Sequence, residues 1–398
     1  MDASTHGLTA SLHRSIGEIA RAEWDGCFEG EPEGWAYYHA VERAGLAGFE
    51  WAYFTVREAG RVVAVAPAFV TAYRLDTTIQ GQWRSALEPV LRPLRDLLTL
   101  QLACLGSPAA DKCHLGFAPQ LDAGRRGAAT AALLDCLDAF AVGQRIGLVA
   151  AKDLADADMG NGVGDAFDAA GFARQPSLPN TYLSLAPEGG QAGEDAYLAS
   201  LSSGTRRDLR RKLRDSDRLR IEMRRGADAL DCVPSMMRLY DQQRASSGVD
   251  FEQFESLTPA YFQNVLGAEG MAVIVFLYWH GETLAAFNLC YHSQTRFIDK
   301  FIGFEPGLAR SLNLYAVSWM ANVRYCLANG IATLQAGQTG YAMKLRMGCT
   351  LAAQAIVFRH RHPVLNRLLR LAGPLLAADR HDQDLARAAT APRAGEKQ

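Results

Sequence analysis

The sequence lacks a paired-cysteine pattern, a long apolar run and a large excess of either charge. Its eight cysteines, Cys27, Cys104, Cys113, Cys136, Cys232, Cys290, Cys326 and Cys349, are scattered, with no CxxC pair and no regular spacing. This excludes a recognisable zinc site or disulfide framework, so the cysteines read as buried thiols of a reducing compartment and no metal is expected. No run reaches the ~18 apolar residues that span a bilayer. Residues Met1 to Gly7 have neither the basic segment nor the apolar stretch of a secretory leader. A cytoplasmic protein is expected, with peripheral attachment to the inner membrane left open. With 41 Lys and Arg against 43 Asp and Glu the formal charge is only −2, so no general nucleic-acid binder is indicated.

What is present is a globular composition, 49% hydrophobic and 21% charged, over 398 residues, enough for two domains. The first half alternates strand and helix patterns. Trp51 to Arg57 and Val62 to Tyr73 flank the turn Glu58-Ala59-Gly60-Arg61 and predict a hairpin. Trp83 to Leu105 reads as partly helical, Arg125 to Val142 as a helix, and Ile146 to Ala151 and Thr181 to Leu185 as strands. The segment Pro187 to Gly193 is the clearest linker. The second half predicts helices over 229–246 and 259–266, then a meander over 271–279, 283–291 and 296–303. An apolar helix over 312–329, a strand over 331–335 and a last strand over 351–359 follow. Both halves run helices, meander, loop, helix, strand, which suggests duplication without sequence repeat. The expected division is 1–190, 191–360 and a tail, 361–398.

Two segments stand apart from a neutral globular body. Arg206 to Arg225 holds ten Arg or Lys and four acids, and reads as a basic helix. Either it is a solvated face, or it meets phosphates, tRNA or an anionic lipid surface. No aromatic residue interrupts it, which disfavours single-strand base stacking. Val364 to Ala378 follows a basic stretch and is apolar but short, which fits an interfacial helix or a helix packed on the domain. From Asp379 the chain is polar and expected to fray.

The meander ending Phe297-Ile298-Asp299-Lys300-Phe301-Ile302-Gly303-Phe304, the helix start Ala309 to Tyr315 and the Gly337 to Gly348 cluster resemble the GNAT superfamily. The similarity is to the branch of the FemAB-like peptidoglycan aminoacyltransferases, which are often double GNAT units, and Thr205 to Arg214 resembles the basic helix of that branch. The resemblance covers about residues 195–360. It implies an α/β fold of two tandem GNAT-like domains, each a mixed, mostly antiparallel sheet flanked by helices, the first one degenerate. It also implies transfer of an acyl group from a thioester, acyl-CoA or acyl carrier protein, to a primary amine, with no permanently bound cofactor.

In that family the donor's pyrophosphate rests on the loop-to-helix turn, here Ala309, Arg310, Ser311, Leu312 and Asn313, with Tyr315 beyond it. Unpaired N–H groups are expected to face an anion there. The usual glycine-dense loop is replaced by Glu305-Pro306-Gly307-Leu308-Ala309-Arg310-Ser311, a departure from the family. His292, at a strand end, is a candidate base. Asp299, acidic among apolar neighbours, is a candidate base or ammonium partner, and Lys300 should point to the opposite face. Tyr341 is the candidate acid for the thiolate, with Lys344 one turn on. Arg346, Lys300 and Asn288 are candidate substrate contacts. A lipidic amine is the expected acceptor, and the bacterial ceramide synthases, which N-acylate sphingoid bases, are the specific comparison. The alternatives are a FemAB-like enzyme using aminoacyl-tRNA on a peptidoglycan precursor, and a non-catalytic GNAT-like module.

Overall fold

The computed structural model describes residues 3–5, 7–75, 99–186, 193–246, 254, 256–376 and 385. The first sheet begins with β1 (Ala3–Thr5), β2 (Leu8–His13), β3 (Glu50–Glu58), β4 (Arg61–Arg74), β5 (Thr99–Leu105), β6 (Gly116–Phe117), β7 (Leu148–Ala155) and β8 (Ala173–Pro176). Strands β1 to β5 follow one another in space, β6 pairs with β4, and β7 lies beyond β5. The β3–β4 hairpin turns on Ala59 and Gly60, both at positive φ, 46° and 81°, as a two-residue loop between right-twisted strands requires. Strand β5 runs parallel to β7, Leu102 against Leu148. Parallel neighbours need a crossover. It is provided by the third of the helices α1 (Arg21–Asp25), α2 (Trp35–Arg43), α3 (Ala123–Gly143) and α4 (Val163–Ala169), capped by Asp122.

The second sheet contains β9 (Asn180–Ser184), β10 (Arg220–Arg225), β11 (Ala272–His280), β12 (Thr283–His292), β13 (Arg296–Phe304), β14 (Thr333–Gly337) and β15 (Thr350–Ala352). Its order is β10-β11-β12-β13-β14-β9-β15. The accompanying helices are α5 (Glu194–Ser200), α6 (Ser203–Leu213), α7 (Val233–Ser246), α8 (Pro259–Leu266), α9 (Pro306–Ala309), α10 (Leu314–Ala328) and α11 (Tyr341–Arg346). Here too a meander leads into one parallel pair, β13 with β14, bridged by α10. Two sheets with the same plan, each mixed and mostly antiparallel, agree with the duplication inferred from the pattern.

Two expectations need correction. Of the segment 83–105, expected to be partly helical, residues 99–105 are strand and pair with β4; residues 83–98 lie outside the described residues, as do 187–192 of the linker and 379–384 of the tail. The basic helix ends at Leu213, and Arg220 to Arg225 form edge strand β10, where Arg220 and Arg224 pair with Glu222. Residues 351–359 are not one strand. They split into β15, in the second sheet, and β16 (Gln354–His360), which lies between β7 and β8 of the first. Conversely β9, which precedes the linker, lies between β14 and β15. The divisions expected at 190 and 360 therefore cut the chain where neither sheet ends. Alternation of apolar residues marks a strand but not the sheet that receives it.

Much of the joint between the halves is apolar. Trp24, Tyr37 and Tyr38 belong to one buried cluster with Met236, Leu239, Tyr261 and Phe287, and α8 packs on α2. Helix α12 (Pro363–Leu376) closes the chain against β16 and β8. All eight cysteines are buried and free.

Helix α7 crosses β13 at Gly303. A Cβ there would lie 2.5 Å from Cε1 of Phe287 and 2.9 Å from the carbonyl carbon of Leu239. Backbone cannot give way like a flexible side-chain tip, so overpacking is felt. We expect Gly303→Ala to lower stability by about 1–3 kcal/mol in urea unfolding; an unchanged midpoint would show that α7 does not approach β13 this closely.

Candidate active site

A cavity of about 700 Å³ lies between the two sheets. Its wall from the first half comes from β4, β5, β7 and β16, with Phe69, Leu102, Leu148, Ala150 and Phe358, together with Phe254 and Leu369. This arm is apolar and aromatic: Phe254 meets Phe69 and Tyr73 edge-on, with centroids 6.0 and 6.3 Å away. The other end is polar. Asp299, Lys300, Lys344, Asp111, Lys152 and Asp153 converge there with Gln175 and Ser177.

Strand β13 places two charged neighbours in this wall by a bulge. Leu289 pairs with Phe301 but Cys290 pairs with Asp299, so Lys300 is one residue more than the partner strand provides. A bulge re-aims side chains that strict alternation would send to opposite faces. The expectation that Asp299 and Lys300 diverge is thus corrected, since both line the cavity. Lys300 is no solvent-side neighbour either. Its side chain is 1% exposed, with Nζ 2.8 Å from Glu33 Oε1 and 3.9 Å from Asp111 Oδ2. Burial works against the ammonium, but the Asp111 and Glu33 carboxylates outweigh it and hold the pKa above the usual lysine range. Around it Glu31 pairs with Lys112 at 3.0 Å and Arg296 at 2.6 Å, and His114 lies 3.6 Å from Glu33.

Asp299 is pushed up to about 6. Burial is the main cause, and the charge of Asp111 adds to it; the Lys344 ammonium and the Asn288 and Asn322 amides beside it act the other way. Asn288 donates to Asn322 Oδ1 at 3.2 Å, so this expected contact touches Asp299 from behind and does not line the cavity. Lys344 is buried. Its Nζ donates to the carbonyls of Gly337 and Gln338, both at 3.2 Å, and burial lowers its pKa while Asp299 opposes that. Gly337, Thr339 and Gly340 all take positive φ, 73°, 70° and 62°, which curls the turn so that its carbonyls face the lysine. Tyr315, from the first turn of α10, completes this end.

The remaining expected residues fall outside the cavity. His292 sits at the far end of β12, half-buried, with Nε2 3.0 Å from the Tyr325 hydroxyl. Tyr341 is fully buried and donates to the Pro179 carbonyl at 2.9 Å, bracing the segment before β9. Arg346 lies on the surface, 3.7 Å from Asp208 of α6. Ala309, Arg310, Ser311, Leu312 and Asn313 do not line the cavity, and Leu312 is core. The amides of Leu308 and Ala309 donate to Glu305 O, Leu312 to Leu308 O and Asn313 to Arg310 O. These four amides have partners within the loop, so fewer face outward than in a fully open anion cradle.

Sequence reading missed the first half's share: Glu33, Asp111, Lys152, Asp153 and Ser177. One signal was available, the charged run Asp111-Lys112-Cys113-His114. Asp153 carried none. It sits at φ 56° within β7, accepts from the Ser177 hydroxyl and meets the Lys152 ammonium.

Residues 203–345 match the family described as acetyltransferase (GNAT) domain. No curated protein matches the chain. Among solved structures, FemX aligns over 90% of this chain and all of its own, at 12% identity and a TM-score of 0.60. A tandem GNAT protein from the clavulanic acid biosynthesis pathway aligns over 89% of this chain and 99% of its own, at 13% and 0.52. The C-terminal domain of a protein assigned as a lysylphosphatidylglycerol synthetase, from Agrobacterium fabrum, aligns over 89% and 97%, at 11% and 0.54. With the family domain at 203–345, the repeated sheet plan and these folds, residues 203–345 form a GNAT acetyltransferase-family domain within a chain that has a tandem GNAT fold.

Proposed function

We propose that the chain N-acylates a primary amine carrying a long apolar chain, with an acyl thioester as donor. The observation that carries this reading is the cavity's division, charged at one end and lined by aliphatic and aromatic side chains at the other. Its volume suits a ligand largely enclosed by protein. The amine belongs at the charged end and its chain in the apolar arm.

In the reaction the amine nitrogen attacks the thioester carbonyl carbon, a C–N bond forms and the C–S bond breaks. The ammonium must first lose a proton. Asp299, titrating near 6, is ionised at neutral pH, so it holds the ammonium and takes that proton. Lys344 has three N–H donors. Two reach the Gly337 and Gln338 carbonyls, and the third is left for the oxyanion of the tetrahedral intermediate. The nitrogen, positively charged after attack, gives up its second proton as the tetrahedral intermediate collapses, and the departing thiolate takes up that proton to leave as the thiol. Lys300 is committed to Glu33 and keeps the wall in place.

A sphingoid base is the acceptor class we favour. Incubation with palmitoyl-CoA and sphinganine should release free thiol and form the amide. If thiol release stays at background with every acyl chain and amine, or requires charged tRNA, the thioester reading is wrong and the FemAB-like aminoacyl transfer takes its place.

The pH profile tests the base. Asp299 must be ionised, so kcat/KM should fall as pH drops below about 6. Asp299→Asn should remove that limb and lower kcat by roughly 10²- to 10⁴-fold. A limb that survives in the variant belongs to another group.

The acceptor's supply points to α12. Leu369 lines the cavity, while Val364, Leu365, Leu368 and Leu371 are exposed, Leu371 to 70%. Arg361, Arg367 and Arg370 accompany this apolar stripe, the composition of an interfacial helix. No helix among the described residues is long and apolar enough to cross a membrane, so contact would be with the surface. Leu368→Asp with Leu371→Asp should abolish co-sedimentation with phosphatidylglycerol vesicles and leave the unfolding midpoint unchanged. Equal sedimentation of both proteins would remove the surface reading.

A further inference from the structure

The arginines of α6 lie apart from the cavity's own charges, and the mechanism above leaves them unused. Ser203, Arg206, Arg207, Arg210, Arg211 and Arg214 line one shallow groove. Their spacing, three, one, three, one and three residues, is that of a single helical face. The opposite face buries Thr205 and Leu209, and Leu209 shares an apolar cluster with Leu312 and Leu314 at the start of α10. Among the described residues Arg211 alone of these five is paired with a carboxylate, Asp208, at 2.8 Å. Arg206 donates to the Leu198 and Ala199 carbonyls. Arg207, Arg210 and Arg214 are exposed.

The helix that carries this face stands beside the wall that holds Lys344 and Tyr315. Asp208 reaches Arg346 of α11, at 3.7 Å, and α11 also carries Lys344 into the cavity wall. Helix α6 packs on α10, whose Tyr315 lines the same cavity. The loop between β13 and α10, where a coenzyme's pyrophosphate would rest, already uses the amides of Leu308, Ala309, Leu312 and Asn313 on its own carbonyls. The concentrated positive charge is therefore next to that loop and not in it.

We infer that the arginine face of α6 docks a small acidic protein that carries the acyl group as a thioester. This rests on the acyl-transfer reading for its purpose but not for its detection. Four arginines on 11 residues of helix, about 16 Å long, with Arg214 just past its end, match an acidic helix laid alongside. An RNA is the poorer fit. The chain's net charge is −2, the positive face is one helix wide, and no aromatic residue between 203 and 225 offers a base a stacking surface.

The test uses three donors with the same palmitoyl group: an acyl carrier protein thioester, the CoA thioester and the N-acetylcysteamine thioester, with sphinganine as acceptor. The carrier-bound donor should have the highest kcat/KM and lose it steeply with added salt. Combined Arg207→Glu, Arg210→Glu and Arg214→Glu should cut that value by roughly 100-fold and leave the N-acetylcysteamine rate unchanged, which also shows the fold intact. An equal loss with CoA overturns the proposal in favour of a phosphate site. Binding of the unacylated carrier protein, followed by fluorescence anisotropy, separates docking from turnover. Binding by the wild type that the triple variant loses supports docking even if sphinganine proves the wrong acceptor. No binding, or competition for the same arginines by tRNA alone, overturns it.

Discussion

An ammonium ion taken out of water must be met by a carboxylate, and this requirement governs where the two halves of the molecule stand. Lys300 of the second sheet finds Glu33 at 2.8 Å and Asp111 at 3.9 Å, both supplied by the first half. Removing one partner would leave a buried charge alone, which costs several kcal/mol. The pair therefore acts as a locator: it holds β13 against the segments before α2 and after β5. Asp299, the adjacent residue, then has its position in the cavity settled by a neighbour that does no chemistry. Its raised pKa follows from the same enclosure, because burial, the main cause, depends on both halves being in place.

The site is thus a property of the joint. The second half provides Asp299 and Lys344, and the first provides most of the apolar arm and the carboxylates that anchor Lys300. A degenerate first unit that merely shapes a pocket is too small a description of its share.

Much of this was legible in the residues. The meander over 271–303, the hairpin at Ala59-Gly60, helices α3, α8 and α10 and the repeated order of elements all follow from periodicity and turn chemistry. Asp299 stood out because a charge among apolar neighbours is costly without a purpose, and Lys344 because its segment resembles the family's; both line the cavity. What stayed hidden depended on pairing. The extra residue at Lys300 is visible only when β13 is laid against β12, and it reversed the expected facing of two adjacent side chains. His292 and Tyr341 were chosen for their chemistry, but each meets a nearby group that holds it outside the cavity, Tyr325 and the Pro179 carbonyl respectively. The loop after β13 misled in the same way: its amides turn inward because Glu305 and Leu308 present carbonyls to them.

The exchange of β9 and β16 bears on how the molecule comes to exist at all. Strand β16 fills the place between β7 and β8, so more than 170 residues separate β8 from its only partner among the described residues, and all described strands of the second sheet are made in the interval. During synthesis the first sheet leaves the ribosome with β7 unpaired on one side and β8 unattached, an open edge of the kind that invites pairing with other chains. It closes only when residues 354–360 return. Folding one half to completion before the other begins, the usual order for tandem domains, is closed to this chain; both sheets finish together, at the last of the described strands.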